Sequence, residues 1–161
     1  MKRGIVAFSF AQEKIEPSPC NFRLAEAVKR IVEAEEGELV IISQWEVAIK
    51  LIKDGIKVTH VVEPLLDWSY LDSVDVWAEA RLYFAHLEIE EVVIVANPFI
   101  HAYAIERMIR KDGFKICQQY DTTIGRIGFD SQSLQWWTRG PLRLLLYSAL
   151  SAVGLAKYFR G

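Results

Sequence analysis

The sequence predicts one three-layer α/β/α domain of Rossmann-like type, with a mainly parallel sheet of about five strands and a helix at its end. Three observations predict it. Apolar runs alternate with amphipathic helical patterns along the chain, most of the runs are too continuous to leave one strand face in water, and glycines stand at the helix-to-strand junctions. The chain has 161 residues, 52% hydrophobic and 25% charged, which is the size of a single domain spanning residues 1–161. A domain of this length buries roughly 70% of its unfolded surface and needs neither disulfides nor a structural metal.

The first apolar run, Ile5 to Phe10, follows the basic pair Lys2 and Arg3 and so mimics a signal peptide. Its Val and Phe content fits a buried first strand equally well, and the later pattern needs that strand in the sheet. It is read as a strand, and a cytoplasmic location is expected. Asn21 marks the start of the first helix, whose inward face is Leu24, Val28, Ile31 and Val32. Leu39–Ile42 is the second strand, and Ser43-Gln44-Trp45-Glu46 matches an S-x-x-E capping box for a helix carrying Val47, Ile49, Leu51 and Ile52. Val58–Val62 is the third strand. Asp72 caps a third helix with Val76, Ala80, Tyr83, Phe84 and Leu87 inward. Val92–Ala96 is the fourth strand, and Asn97-Pro98 opens a helix with Ala104, Ile105, Met108 and Ile109. Phe114–Cys117 is the fifth strand.

Gly37, Gly55 and Gly113 each stand between a helix and the next strand, where a positive φ ends the helix. The similar stretches Ile52–Val58 and Arg110–Ile116 share only this junction chemistry and are read as convergence, not duplication. After Tyr120 the alternation lapses into a loop, 121–135, carrying Gly125-Arg126-Ile127-Gly128, before a last helix from about Gln135 or Pro141 to Phe159. Its uncharged stretch, Leu144 to Ala156, is 13 residues, short of the roughly 20 that cross a bilayer. A buried or groove-packed helix is expected. Trp136 and Trp137 ahead of it keep membrane-surface association as the alternative.

Nineteen Lys and Arg against 21 Asp and Glu give a formal charge of −2, without the basic excess of a nucleic-acid binder. No nucleic-acid partner is expected. Cys20 and Cys117 lack C-x-x-C partners, and His60, His86 and His101 do not complete a metal-ligand spacing, so no metal is expected, and two free thiols are expected ahead of the alternative of one disulfide.

In a parallel sheet the strand carboxyl ends and the following helix starts form one rim, and ligands bind there. Its polar groups are Glu13, Asn21, Arg23, Glu46, Glu63, Asp67, Asp75, Glu79, Asn97, His101 and Asp121. No glycine-rich phosphate loop, P-loop or G-x-S-x-G elbow is present, which disfavours a pyrophosphate cradle and a serine hydrolase. Arg23 sits at the unfavourable end of a helix dipole, which points either to an anionic ligand or to a surface pair with Glu26 or Glu13. Glu46, Asp75 and Asn97 each have a capping or first-turn reading beside a ligand-binding one. His101 is a general base, an anion ligand or a half-exposed helix residue.

The order of features resembles the YdcF/SanA/ElyC-like family of bacterial α/β proteins. The likeness rests on Arg23-Leu24-Ala25-Glu26-Ala27, Leu39-Val40-Ile41-Ile42-Ser43 with Glu46, and Lys53-Asp54-Gly55-Ile56 leading to Glu63. Ser73-Val74-Asp75-Val76-Trp77-Ala78-Glu79-Ala80 and Val92-Val93-Ile94-Val95-Ala96-Asn97-Pro98-Phe99 complete it. The resemblance implies a Rossmann-type domain with its site on this rim, S-adenosylmethionine or a nucleotide as ligand, and a link to cell-envelope upkeep. Gly-rich turns of the family are replaced here by Phe8-Ser9-Phe10-Ala11-Gln12 and Ser43-Gln44-Trp45, and a flatter, more apolar ligand near Trp45, Phe10 and Phe99 would suit the change.

The expected function is binding of a small anionic or nucleotide-like ligand at the strand carboxyl ends. Arg23, Asn21, Ser43, Glu79 and Asn97 are the expected binding groups, and His101, Glu46 and Asp75 the expected acid/base groups, converging on one crevice. The competing expectation is a non-catalytic interaction domain or degenerate family member acting through its last helix.

Overall fold

The computed structural model describes residues 2–13, 16–64, 71–97, 100–117 and 127–154. In chain order the elements are β1 (Arg3–Ala7), α1 (Pro19–Ala34), β2 (Val40–Gln44), α2 (Trp45–Lys53), β3 (His60–Val62), α3 (Ser73–His86), β4 (Glu91–Val95), α4 (Ile100–Lys111) and β5 (Lys115–Ile116). A 3-10 turn, Trp136–Arg139, and α5 (Pro141–Ala152) follow. All strand pairs are parallel, in the order β3-β2-β1-β4-β5. Ile5 of β1 lies opposite Ile41 on one side and Val93 on the other.

Because β1 is central, both of its faces are dry. Ile5 and Ala7 join the residues of α1 and α2 in one core layer, which Trp137 and Leu144 extend. Val6 and Phe8 join Val76, Trp77 and Phe84 of α3 and Ile105 and Ile109 of α4 in the other. The expected three layers are therefore present. Gly4 is required by packing: a Cβ there would lie 2.6 Å from the Phe84 ring. Gly37, Gly55 and Gly113 have φ of +130°, +80° and +88°, as their helix-ending positions predict.

Several boundaries differ from the sequence expectation. Ser18, not Asn21, caps α1: its side chain accepts from the Cys20 amide, with Pro19 in the first turn. Asn21 is buried inside the helix and has another task, described below. The Ser43-Gln44-Trp45-Glu46 capping box does not form, because β2 runs directly into α2. Gln44 makes no side-chain cap, and the Ser43 hydroxyl donates to the Gln44 carbonyl. Asp72 does cap α3, reciprocally with Asp75. The Pro98 half of the expected Asn97-Pro98 start lies outside the described residues.

The last helix begins at Pro141, and the chain leaves it near Val153, with Gly154 at φ +74°. This is short of Phe159, which lies outside the described residues, as do Asp67, Phe99, Tyr120, Asp121, Gly125 and Arg126. Among the described residues, no helix is long and apolar enough to cross a membrane.

Candidate functional site

The chain leaves β1 for α1 on one face of the sheet and leaves β4 for α4 on the other. The loops diverge there and open a crevice at the carboxyl rim, where parallel sheets take their ligands. The turn after β1 builds its floor. Ala11 is buried with φ +75°, a conformation that costs a non-glycine residue about 1–2 kcal/mol. Asn21 holds it: its Oδ1 accepts from the Phe10 amide at 2.7 Å and its Nδ2 donates to the Ala11 carbonyl at 2.9 Å. Ser133 holds the next residue, its Oγ accepting from the Gln12 amide at 3.0 Å.

The Ser9 amide is likewise taken, by Gln44 Oε1 at 3.0 Å. A phosphate at a strand-to-helix turn binds free amides. Here the amides of Ser9, Phe10 and Gln12 already serve side chains of the protein, so the turn does not fit a nucleotide pyrophosphate.

Above this floor lies a cavity of about 650 Å3. Ser9, Phe10 and Gln12 line it from the turn after β1, Gln44 and Glu46 from the β2–α2 junction, Asp72 and Ser73 from the start of α3, and His101 and Arg107 from α4. The far wall is Trp137 of the 3-10 turn with Leu144, Tyr147, Ser148 and Ser151 of α5, spaced three and four residues apart on one helical face. Trp137 and Tyr147 stack with ring centroids 4.4 Å apart. The last helix buries only Leu144 and lines the cavity with one face.

Two groups on this wall are chemically unusual. Glu46 is 5% exposed, and its Oε2 is buried without a hydrogen-bond partner. Burial pushes its carboxyl up to about 7, against the pull of its own backbone amide and the Ser9 and Gln44 side chains. His101 packs against the Phe8 and Phe10 rings. Its Nε2 shares a 2.8 Å hydrogen bond with Ser73 Oγ, and its Nδ1 is buried and unpartnered. Burial pulls this imidazole down to about 4, with Asp72 acting in the opposite sense, so it is neutral at physiological pH. Buried polar atoms without partners are rare in folded proteins, and of the three among the described residues, Glu46 Oε2, His101 Nδ1 and Asp130 Oδ2, the first two belong to side chains that line this cavity.

The other expected residues do not line this cavity. Arg23 is exposed, and its Nη1 donates to the Ile127 carbonyl at 2.9 Å. Asn21 and Ser43 are buried and bonded to backbone. Asp75 is exposed in the α3 capping box. Glu79 faces β3, with Oε2 2.8 Å from His60 Nε2, and His60 stacks on Tyr83. Asn97 donates to the Gly128 carbonyl at 3.1 Å. Of the residues expected in one crevice, Glu46 and His101 are brought together on the cavity wall. Trp45 is half-buried beside it without lining it.

Sequence reasoning missed Ser73, Arg107, Trp137 and Tyr147. A signal existed for Arg107, since His101, Ala104 and Arg107 recur every third residue on one face of α4. Among the described residues, no group of three or more His, Cys, Asp or Glu is placed to hold a metal ion. Cys20 and Cys117 are buried free thiols. No family model, curated protein or solved structure matches the chain.

Proposed function

We propose that the protein binds a small organic molecule in the rim cavity and exchanges a proton with it through Glu46. The observation that carries this reading is the pair of buried, unpartnered atoms, Glu46 Oε2 and His101 Nδ1, on the wall of one cavity. A carboxyl near 7 populates both of its protonation states at physiological pH, which suits a general acid or base. The neutral His101, positioned by Ser73, offers a hydrogen bond rather than a charge. The role of proton carrier therefore falls to Glu46, and Asp75, occupied in its capping box, has no part in it.

Thermal-shift and calorimetric titration with a panel of organic acids, nucleotides and S-adenosylmethionine tests the reading. At least one compound should raise Tm in the wild type and fail to do so in Ser148→Trp, which fills the cavity from the α5 side. A panel that shifts neither protein, or shifts both equally, overturns it.

A second reading has one observation in its favour. The outer face of α5 exposes Leu142, Leu145, Leu146 and Val153, and surface-associating helices carry such a stripe beside basic residues such as Arg139 and Arg143. Flotation with anionic vesicles, lost in Leu142→Lys/Leu146→Lys, would support it.

A further inference from the structure

The charge on the cavity wall is sparse enough to be read group by group. Among its described residues Arg107 is the one with a permanent positive charge, since the Trp137–Ser151 wall is uncharged and His101 is neutral. Arg107 is exposed and makes no hydrogen bond or ion pair with any described residue, unlike its helix neighbour Arg110, which pairs with Glu106. It lies six residues along α4 from His101, about 9 Å at the rise of a helix. Asp72, which also lines the cavity, is engaged in capping α3. Phe10, Leu71, Trp137, Leu144 and Tyr147 supply the apolar lining of the same cavity.

We infer that the ligand is an organic monoanion, a carboxylic acid with an aliphatic or aromatic body and a second oxygen, whose carboxylate pairs with Arg107 while that oxygen meets Glu46. The inference rests on the reading that the cavity takes a small molecule, and it adds the class. A guanidinium binds a carboxylate in bidentate fashion and neutralises one charge. Among the described lining residues a dianion finds no second cation, and the Asp72 and Glu46 carboxyls line the same cavity. The β1–α1 turn also offers a phosphate none of the amides of Ser9, Phe10 and Gln12, which are already bonded to the side chains of Gln44, Asn21 and Ser133. The apolar walls supply the burial that a bare anion such as acetate would not use.

The test is calorimetric titration of the full chain with matched probes: phenylpyruvate, 4-hydroxyphenylacetate and 8-hydroxyoctanoate, each beside its primary amide, and phenyl phosphate as the dianion. For at least one pair the acid should bind ten-fold or more tightly than its amide. That preference should fall to within two-fold in Arg107→Met and survive in part in Arg107→Lys. Arg107 is exposed, so both variants should fold, and circular dichroism checks it. If amides bind as well as acids, if phenyl phosphate binds more tightly than any carboxylate, or if Arg107→Met keeps the preference, the class assignment falls while the cavity reading stands. If nothing in the series and nothing in the broader panel binds, the cavity reading fails and takes the assignment with it.

Discussion

Glu46 and His101 leave opposite marks on the pH dependence of stability, and substituting each in turn exposes them. Glu46 titrates at an ordinary 4.5 in the unfolded chain and at about 7 in the folded one. In that interval the folded state holds a proton that the unfolded state has released, so stability is full below 4.5 and is lost as pH rises to 7. At about 1.4 kcal/mol per pH unit, the whole loss is about 3 kcal/mol. His101 has the reverse displacement, from 6.5 to about 4. Its contribution is present above 6.5 and is lost as pH falls to 4, again by about 3 kcal/mol.

Between about pH 4.5 and 6.5 the two slopes therefore cancel in the wild type. Glu46→Gln removes one of them, and relative to the wild type its stability should rise by about 1.4 kcal/mol per pH unit across that window. His101→Gln should show the opposite trend with the same size. Urea denaturation at half-unit steps from pH 4.5 to 7, with the m-value checked for constancy, reads both. Comparison with the wild type at each pH removes the shared contribution of the surface ion pairs. A Glu46→Gln profile that runs parallel to the wild type would show that this carboxyl is ordinary in the folded protein and not the proton carrier proposed for the cavity.

Two further outcomes follow from the packing around the site. Gly4→Ala should destabilise by about 1–3 kcal/mol, because the new methyl meets a Phe84 ring already wedged against Trp77 and Phe114. Trimming the ring in a Gly4→Ala/Phe84→Leu double variant should cost less than the sum of the two single changes in urea melts. Asn21→Leu should cost about 2–4 kcal/mol by orphaning the Phe10 amide and the Ala11 carbonyl. It should also speed hydrogen exchange in the β1–α1 turn, and an unchanged exchange rate there would argue against the clamp.

Much of the scaffold was legible because it depends on local pattern. Val92–Ala96 reads as a buried strand and appears as Glu91–Val95, and Gly55 and Gly113 end their helices with positive φ as their positions require. Boundaries slipped where a side chain does tertiary work in place of local work. Asn21 looks like a helix cap, yet it spends its amide on the turn beneath the cavity. Glu46 looks like the end of a capping box, yet the strand runs straight into α2 and buries it.

Residue order along the chain determined the layers, the parallel sheet and the rim on which a ligand would sit, because hydrophobic period and helix-ending glycines act over a few residues. Only the tertiary structure decided which rim groups meet. Ser133 bonds Gln12 from 121 positions away, α5 folds back to close the far wall, and Arg107 is carried to a cavity that Arg23 does not reach. The unusual protonation of Glu46 and His101 likewise arises from removal of water by segments distant in the chain, and no local pattern encodes that.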